Sequence, residues 1–76
     1  MTLVPRFISI VVPAYREQSG IASALREIRR AIGSTGEGFE IIVVDDGSPD
    51  GTWEAVSALE AEMPELVAIR LSRNFG

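Results

Sequence analysis

Val43-Val44-Asp45-Asp46-Gly47-Ser48-Pro49-Asp50-Gly51-Thr52 is the stretch on which the reading of this chain turns. It continues an apolar run, Glu40-Ile41-Ile42-Val43-Val44, that ends in two adjacent carboxylates and then breaks into Gly, Ser, Pro and Gly. Such a pattern predicts a buried strand over Glu40 to Val44, apolar at every position after the first, as expected when both faces are covered. The strand carries two acids to its C-terminal tip, and a tight turn leads into a helix. In open α/β sheets that end of the strands is where ligands bind. Two acids there can accept hydrogen bonds from a base or ribose, or hold a divalent cation.

Working outward, Phe7 to Val12 is a β-branched run closed by Pro13 and reads as a first strand. From Ser19 the period changes: Ile21, Leu25, Ile28 and Ile32 form one apolar stripe on a helix. Ser19 is the expected N-cap, and Gly33-Ser34-Thr35-Gly36-Glu37-Gly38 the stop. Arg26, Glu27, Arg29 and Arg30 lie off the stripe and read as a solvated face. A second helix is expected from Thr52 to Met63, with Trp53, Val56, Leu59 and Met63 facing inward and Pro64 ending it. Leu66 to Leu71 is the third strand, and Ser72-Arg73-Asn74-Phe75-Gly76 a loop.

The result is β-α-β-α-β, half of a doubly wound, Rossmann-like parallel sheet. Crossovers are nearly always right-handed. With strand order 3-2-1 both helices then fall on one face. The other face, expected to carry Val43 and Ile10, is left bare, and the first strand becomes an open apolar edge of the kind folded proteins avoid. The expectation is an incomplete domain, or a chain that associates with itself through the bare face or edge.

Bulk properties narrow the chemistry. Seventy-six residues allow one thin domain. A hydrophobic content of 46% with 24% charged residues is ordinary for a globular chain. The net charge of -4 offers no basic stripe for phosphates, which argues against nucleic acid as a partner. Neither Cys nor His is present, so thiolate and imidazole metal sites, disulfides and His catalysis are excluded. No run approaches the ~20 apolar residues of a spanning helix. No secretory leader is visible either, so a cytosolic location is the expectation.

Three constellations carry possible chemistry. Asp45 and Asp46 are adjacent, and neighbours on a strand point to opposite sides, so one of them faces a given pocket. The plainer reading is that they stabilise the turn or cap the next helix. Asp46-x-Ser48-x-Asp50-Gly51 resembles the start of an EF-hand loop, but its twelfth position is Ser57 instead of Glu and no helix precedes it. Pro13-Ala14-Tyr15-Arg16-Glu17 follows the first strand and sets a ring and a hydroxyl beside Asp46, a pairing suited to a nucleobase. The plainer alternative is a loop packed on its own helix. Arg70 and Arg73 could meet a phosphate or be simply solvated. A dinucleotide-binding half needs G-x-G-x-x-G after the first strand, and these glycines are missing. A receiver domain would carry its acid pair after the first strand.

Together, Ile10-Val11-Val12-Pro13-Ala14-Tyr15-Arg16-Glu17, the Val43 to Thr52 stretch and Leu71-Ser72-Arg73-Asn74-Phe75-Gly76 resemble the N-terminal part of family 2 glycosyltransferases. Within that family the chain looks most like the polyprenyl- or dolichyl-phosphate sugar transferases. The resemblance runs from about Phe7 to Gly76 and implies a GT-A fold, with residues 1–76 its N-terminal nucleotide-binding portion. It implies an inverting transfer from a nucleotide-diphosphate sugar, with a polyprenyl phosphate as the acceptor, at the cytoplasmic face of the cell envelope membrane. It places Pro13, Ala14, Tyr15 and Glu17 along the nucleoside pocket, and Asp46 as acceptor from the base. Asp45 and Gly47 shape that pocket, and Ser72, Arg73 and Asn74 lie near the diphosphate or acceptor phosphate. Position 16 departs from the family, which commonly has Asn where this chain has Arg. The family's Mg²⁺ or Mn²⁺ is held by a D-x-D-type motif expected beyond these residues, as is the base that deprotonates the acceptor. No catalytic residue or metal ligand is therefore assigned here, and the segment alone is expected to transfer no sugar. The alternative is a nucleotide-binding or interaction module without catalysis.

Overall fold

In a computed structural model of the chain, residues 6–72 are described. The order is β1 (Phe7–Ala14), α1 (Ile21–Gly33), β2 (Gly38–Asp45), α2 (Thr52–Glu62) and β3 (Leu66–Arg70). The strands form one parallel sheet in the order β1-β2-β3, which is the expected 3-2-1 read from the other edge. Two crossovers of the same hand, stepping in the same direction, place both helices on one face. Accordingly α1 and α2 touch each other and both touch β2.

The dry interior lies between that face and the helices. Ile41 and Val43 from β2, Ile21 and Leu25 from α1, and Val56, Leu59 and Met63 from α2 and its end are all buried. Ile10, Val12 and Ala68 pack against this cluster. Here the structure corrects the expected parity. Val43 and Ile10 sit on the covered face, and the bare face carries Phe7, Val11, Val67 and Ile69, at 65%, 62%, 42% and 42% exposure. Apolar residues occupy both parities of the strands, so pattern alone could not tell which side the helices take. Trp53 also differs: it is half-buried, while Thr52 beside it is fully buried.

Several element ends move by a residue or two for local reasons. Pro13 lies inside β1, opposite Val44. The Ala14 carbonyl accepts from the Asp46 amide at 3.0 Å, so Ala14 faces β2 and Pro13 faces the open edge, where its missing N–H costs no ladder bond. Ser19 does not cap α1. The helix starts after Gly20, and the Glu17 carbonyl accepts from the amides of Gly20 and Ile21 at 3.1 and 2.9 Å. The arginines expected in solvent are engaged: Arg26 makes a two-pronged pair with Glu62 (2.8 and 3.0 Å), and Arg29 reaches Glu65 at 3.0 Å. These pairs lie near the surface and contribute little net stability, but they fix how α1 lies on α2. On β3, the Ala68 amide donates to the Glu60 carboxylate of α2 at 3.2 Å. No helix of the described residues is long and apolar enough to cross a membrane.

The two faces should respond very differently to substitution. Ile41→Ala, at 0% exposure, removes core volume and should lower unfolding free energy by about 2–5 kcal/mol. Val11→Thr on the bare face should change it by less than about 0.5 kcal/mol. Urea titrations giving equal losses for the two would contradict the assignment of the faces.

Candidate functional site

Because the strands are parallel and in register, their C-terminal ends line up: Ala14, Asp45 and Arg70 are direct neighbours across the sheet. The loops leaving those ends bring together most of the residues singled out from the sequence. Pleating then separates the acid pair. Asp45 turns under the helices and is 0% exposed, whereas Asp46 lies in solvent. Asp45 Oδ1 accepts from the Ser48 amide (3.2 Å) and hydroxyl (2.5 Å), and its backbone carbonyl accepts from Leu71 N–H at 2.8 Å. Its second oxygen, Oδ2, is buried with no hydrogen-bond partner. Asp45 therefore braces the turn from below, and Asp46 presents a carboxylate above it.

Gly47 has φ +65°, a left-handed conformation that side chains disfavour. It lines an open cleft of about 380 Å³ together with Arg70, Leu71 and Ser72, between the tips of β2 and β3. The Arg70 guanidinium lies 5.7 Å from the centre of the Trp53 ring, within cation–π range. A cation is thus held at the cleft wall. Sequence reasoning named Arg70 but could not place it, since the signal is its register opposite Asp45 together with a ring arriving from α2.

The loop after β1 is tied to the turn after β2 by a ladder of contacts. Arg16 N–H donates to Ser48 Oγ at 3.0 Å, and Glu17 N–H to Thr52 Oγ1 at 2.8 Å. Gly51 N–H donates to Gln18 Oε1 at 2.9 Å, with a longer contact of 3.4 Å from Gln18 N–H to Asp50 Oδ2. Ser48 and Thr52, both buried, were read from sequence as a turn residue and the start of a helix, with no role in joining the two loops. Paired hydroxyls after an acid pair are a visible signal, but the amides that donate to them are supplied by a loop more than thirty residues away. This ladder sets the loop that carries the exposed Tyr15 and Glu17 against the Ser48–Thr52 turn. Tyr15 accepts a 3.3 Å contact at its hydroxyl from Arg16 Nε, and the Arg16 guanidinium lies 5.5 Å from its ring centre. Pro13 opens toward the bare side, and Ala14 is 2% exposed. Ser72 is exposed at the cleft, while Arg73 and Asn74 lie outside the described residues.

The donors for a divalent cation do not assemble here. Among the described residues no group of three or more carboxylates is placed to hold one. The calcium-loop pattern is occupied by other bonds: Ser48 serves Asp45 and Arg16, and Asp50 Oδ1 accepts from the Thr52 hydroxyl (2.5 Å) and amide (3.0 Å). What the geometry can do is bind: an exposed acid, a ring, a cleft and an arginine lie at one end of a sheet.

The sequence model of the family described as Glycosyl transferase family 2 matches residues 9–76, from the third residue of β1 through β3 and beyond.

Asp50 provides a test of the ladder through pH. The bond from the Thr52 hydroxyl, aided by the amides of Thr52 and Gln18 and opposed by burial, holds its carboxyl below the usual aspartate value. Stability from that difference is complete above the ordinary value near ~3.9 and drains away as pH falls through the lower folded value. Asp50→Asn keeps an acceptor for Thr52 but cannot titrate. Its urea midpoint should fall less steeply than the wild-type midpoint as pH drops below about 4, and parallel acid limbs would show that Asp50 does not contribute.

Proposed function

Since the chain belongs to glycosyl transferase family 2, we propose that these residues form the nucleotide-binding portion of its transferase domain. The ligand is a nucleotide-diphosphate sugar. The observation that carries this reading is the tying of the β1 loop, which carries Tyr15, to the turn that follows Asp46, whose Gly47 lines a cleft with Arg70, Leu71 and Ser72. Tyr15 supplies a ring for the base, and the Asp46 carboxylate accepts from a base N–H. Glu17 and Pro13 border the same pocket, with Ala14, Asp45 and Gly47 giving it shape. Ser72, with Arg73 and Asn74 following, faces the diphosphate or the acceptor phosphate. Arg70 on Trp53 adds positive charge to that end, and guanidinium matches phosphate oxygens in geometry.

The proposed reaction is an inverting transfer. An acceptor oxygen displaces the nucleoside diphosphate from the sugar's anomeric carbon, with reversal of configuration there. The acceptor we favour is a polyprenyl phosphate, on the resemblance of the Val43–Thr52 and Leu71–Gly76 motifs to that subfamily. Residues 1–76 contribute binding and orientation. A divalent cation would neutralise charge on the departing diphosphate, but the described residues do not offer a matching donor set. We therefore assign them no step through a cation, and propose that they do not complete transfer alone. That same lack favours the second reading, a nucleotide-binding module without catalysis.

Titration of the folded chain with UDP and with GDP tests the reading. Saturable binding of one of them is expected, and Asp46→Ala should weaken it about tenfold or more, the scale of one hydrogen bond to a charged acceptor. Asp46 is exposed, so the circular dichroism spectrum should not change. A folded chain that binds neither nucleotide would remove the nucleotide reading.

A further inference from the structure

Arg16 is the one described non-glycine residue with a positive φ, +53°. L-residues enter that region at a cost, and Gly and Asn enter it most readily. The sequence supplies neither, although Asn is what the resembled family commonly carries at this position. Something else must hold the backbone there. The Arg16 amide donates to Ser48 Oγ at 3.0 Å, and the next amide, that of Glu17, donates to Thr52 Oγ1 at 2.8 Å. Ser48 is 2% exposed, and its own hydroxyl proton goes to the buried Asp45 at 2.5 Å. A hydroxyl donates once and accepts through its lone pairs. With its proton committed to Asp45, Ser48 Oγ is left as an oriented acceptor for Arg16.

We propose that Ser48 is a positioning residue of the site: braced by Asp45, it holds Arg16 in the left-handed conformation with which the loop after β1, Tyr15 included, meets the turn after β2. It touches no ligand itself and acts through the β1 loop. The backbone bend at Arg16 decides where the loop goes after β1. The stacked pair of Tyr15 and Arg16, 5.5 Å from guanidinium carbon to ring centre, moves with it. The effect on ligand affinity rests on the nucleotide reading given above, whereas the hold on Arg16 does not.

Two measurements on the whole chain separate these claims. Amide hydrogen exchange at Arg16 reports the hold directly. Ser48→Ala should speed it about five- to tenfold, the factor carried by one neutral hydrogen bond, while the Ile41 amide in the core keeps its protection. Titration with UDP and GDP reports the consequence. Ser48→Ala should weaken the bound nucleotide by a similar factor, and Arg16→Asn in the same chain should recover most of that loss, because Asn adopts the conformation unaided. Recovery by a change at a different, exposed residue is not expected if Ser48 merely stabilises the fold. If Ser48→Ala does not fold, Arg16→Val decides: a β-branched residue rejects positive φ, so it should weaken binding and speed exchange at Glu17 with Ser48 still present. Unchanged Arg16 exchange in Ser48→Ala, or a loss of affinity that Arg16→Asn leaves untouched, would overturn the proposal. A wild-type chain that binds neither nucleotide sinks the nucleotide reading, and the hold then stands or falls on the exchange result.

Discussion

Everything in this molecule depends on the hand of its two crossovers. Both connections step the same way across the sheet, so both helices land on one face and β2 becomes the strand that all else packs against. That choice dries Ile41 and Val43 and, by the same alternation, draws Asp45 out of water. A carboxylate so placed must find donors. Ser48 provides two, from its amide and its hydroxyl, and the turn after β2 takes its shape from meeting that need. The site thus begins as a consequence of packing: an acid buried at the end of a core strand organises the loops above it.

The fold was legible because its signals are local. Strand runs bounded by turn residues and a helix stripe at Ile21, Leu25, Ile28 and Ile32 need only neighbouring residues to be read. Given the order 3-2-1, the placing of both helices on one face followed from the near-invariance of crossover hand. The covered face could not be read, because Val11 and Ile42 are as apolar as Ile10 and Val43 and differ only in which side of the pleat they occupy. Nor could the start of the first helix: Ser19 has the chemistry of a cap, but the Glu17 carbonyl meets the orphan amides first. The charges on α1 lie at the surface as read, but their partners could not be named. Arg26 and Arg29 find their partners at Glu62 and Glu65, far along the chain.

At the strand tips, position was legible and connection was not. Tyr15 and Asp46 were read at neighbouring tips, where parallel sheets expose their ends, while Gly47 and Ser72 came from the family resemblance. The bonds that place them run between hydroxyls of one turn and amides of another loop, and amides leave no trace in a sequence. Arg16 shows the limit well. Its side chain is what a sequence displays, yet its structural interest is a backbone angle and the acceptor that meets its N–H. Trp53 shows another: read as core, it is half-buried and carries Arg70 on its ring.

The contact between Glu60 and the Ala68 amide has a bearing on how this sheet can be extended. An unpaired strand edge is a template for further pairing, within a chain or between chains. On β3 the template is interrupted near its middle by a carboxylate that already holds an edge donor, so an incoming strand would have to expel a charged group to bind there. On β1 the interruption is a single proline close to the tip. The sheet is therefore polar in its capacity to grow: it is gated on the β3 side and open on the β1 side. The β1 edge, which also carries the Tyr15 loop, is the less obstructed of the two for an added strand.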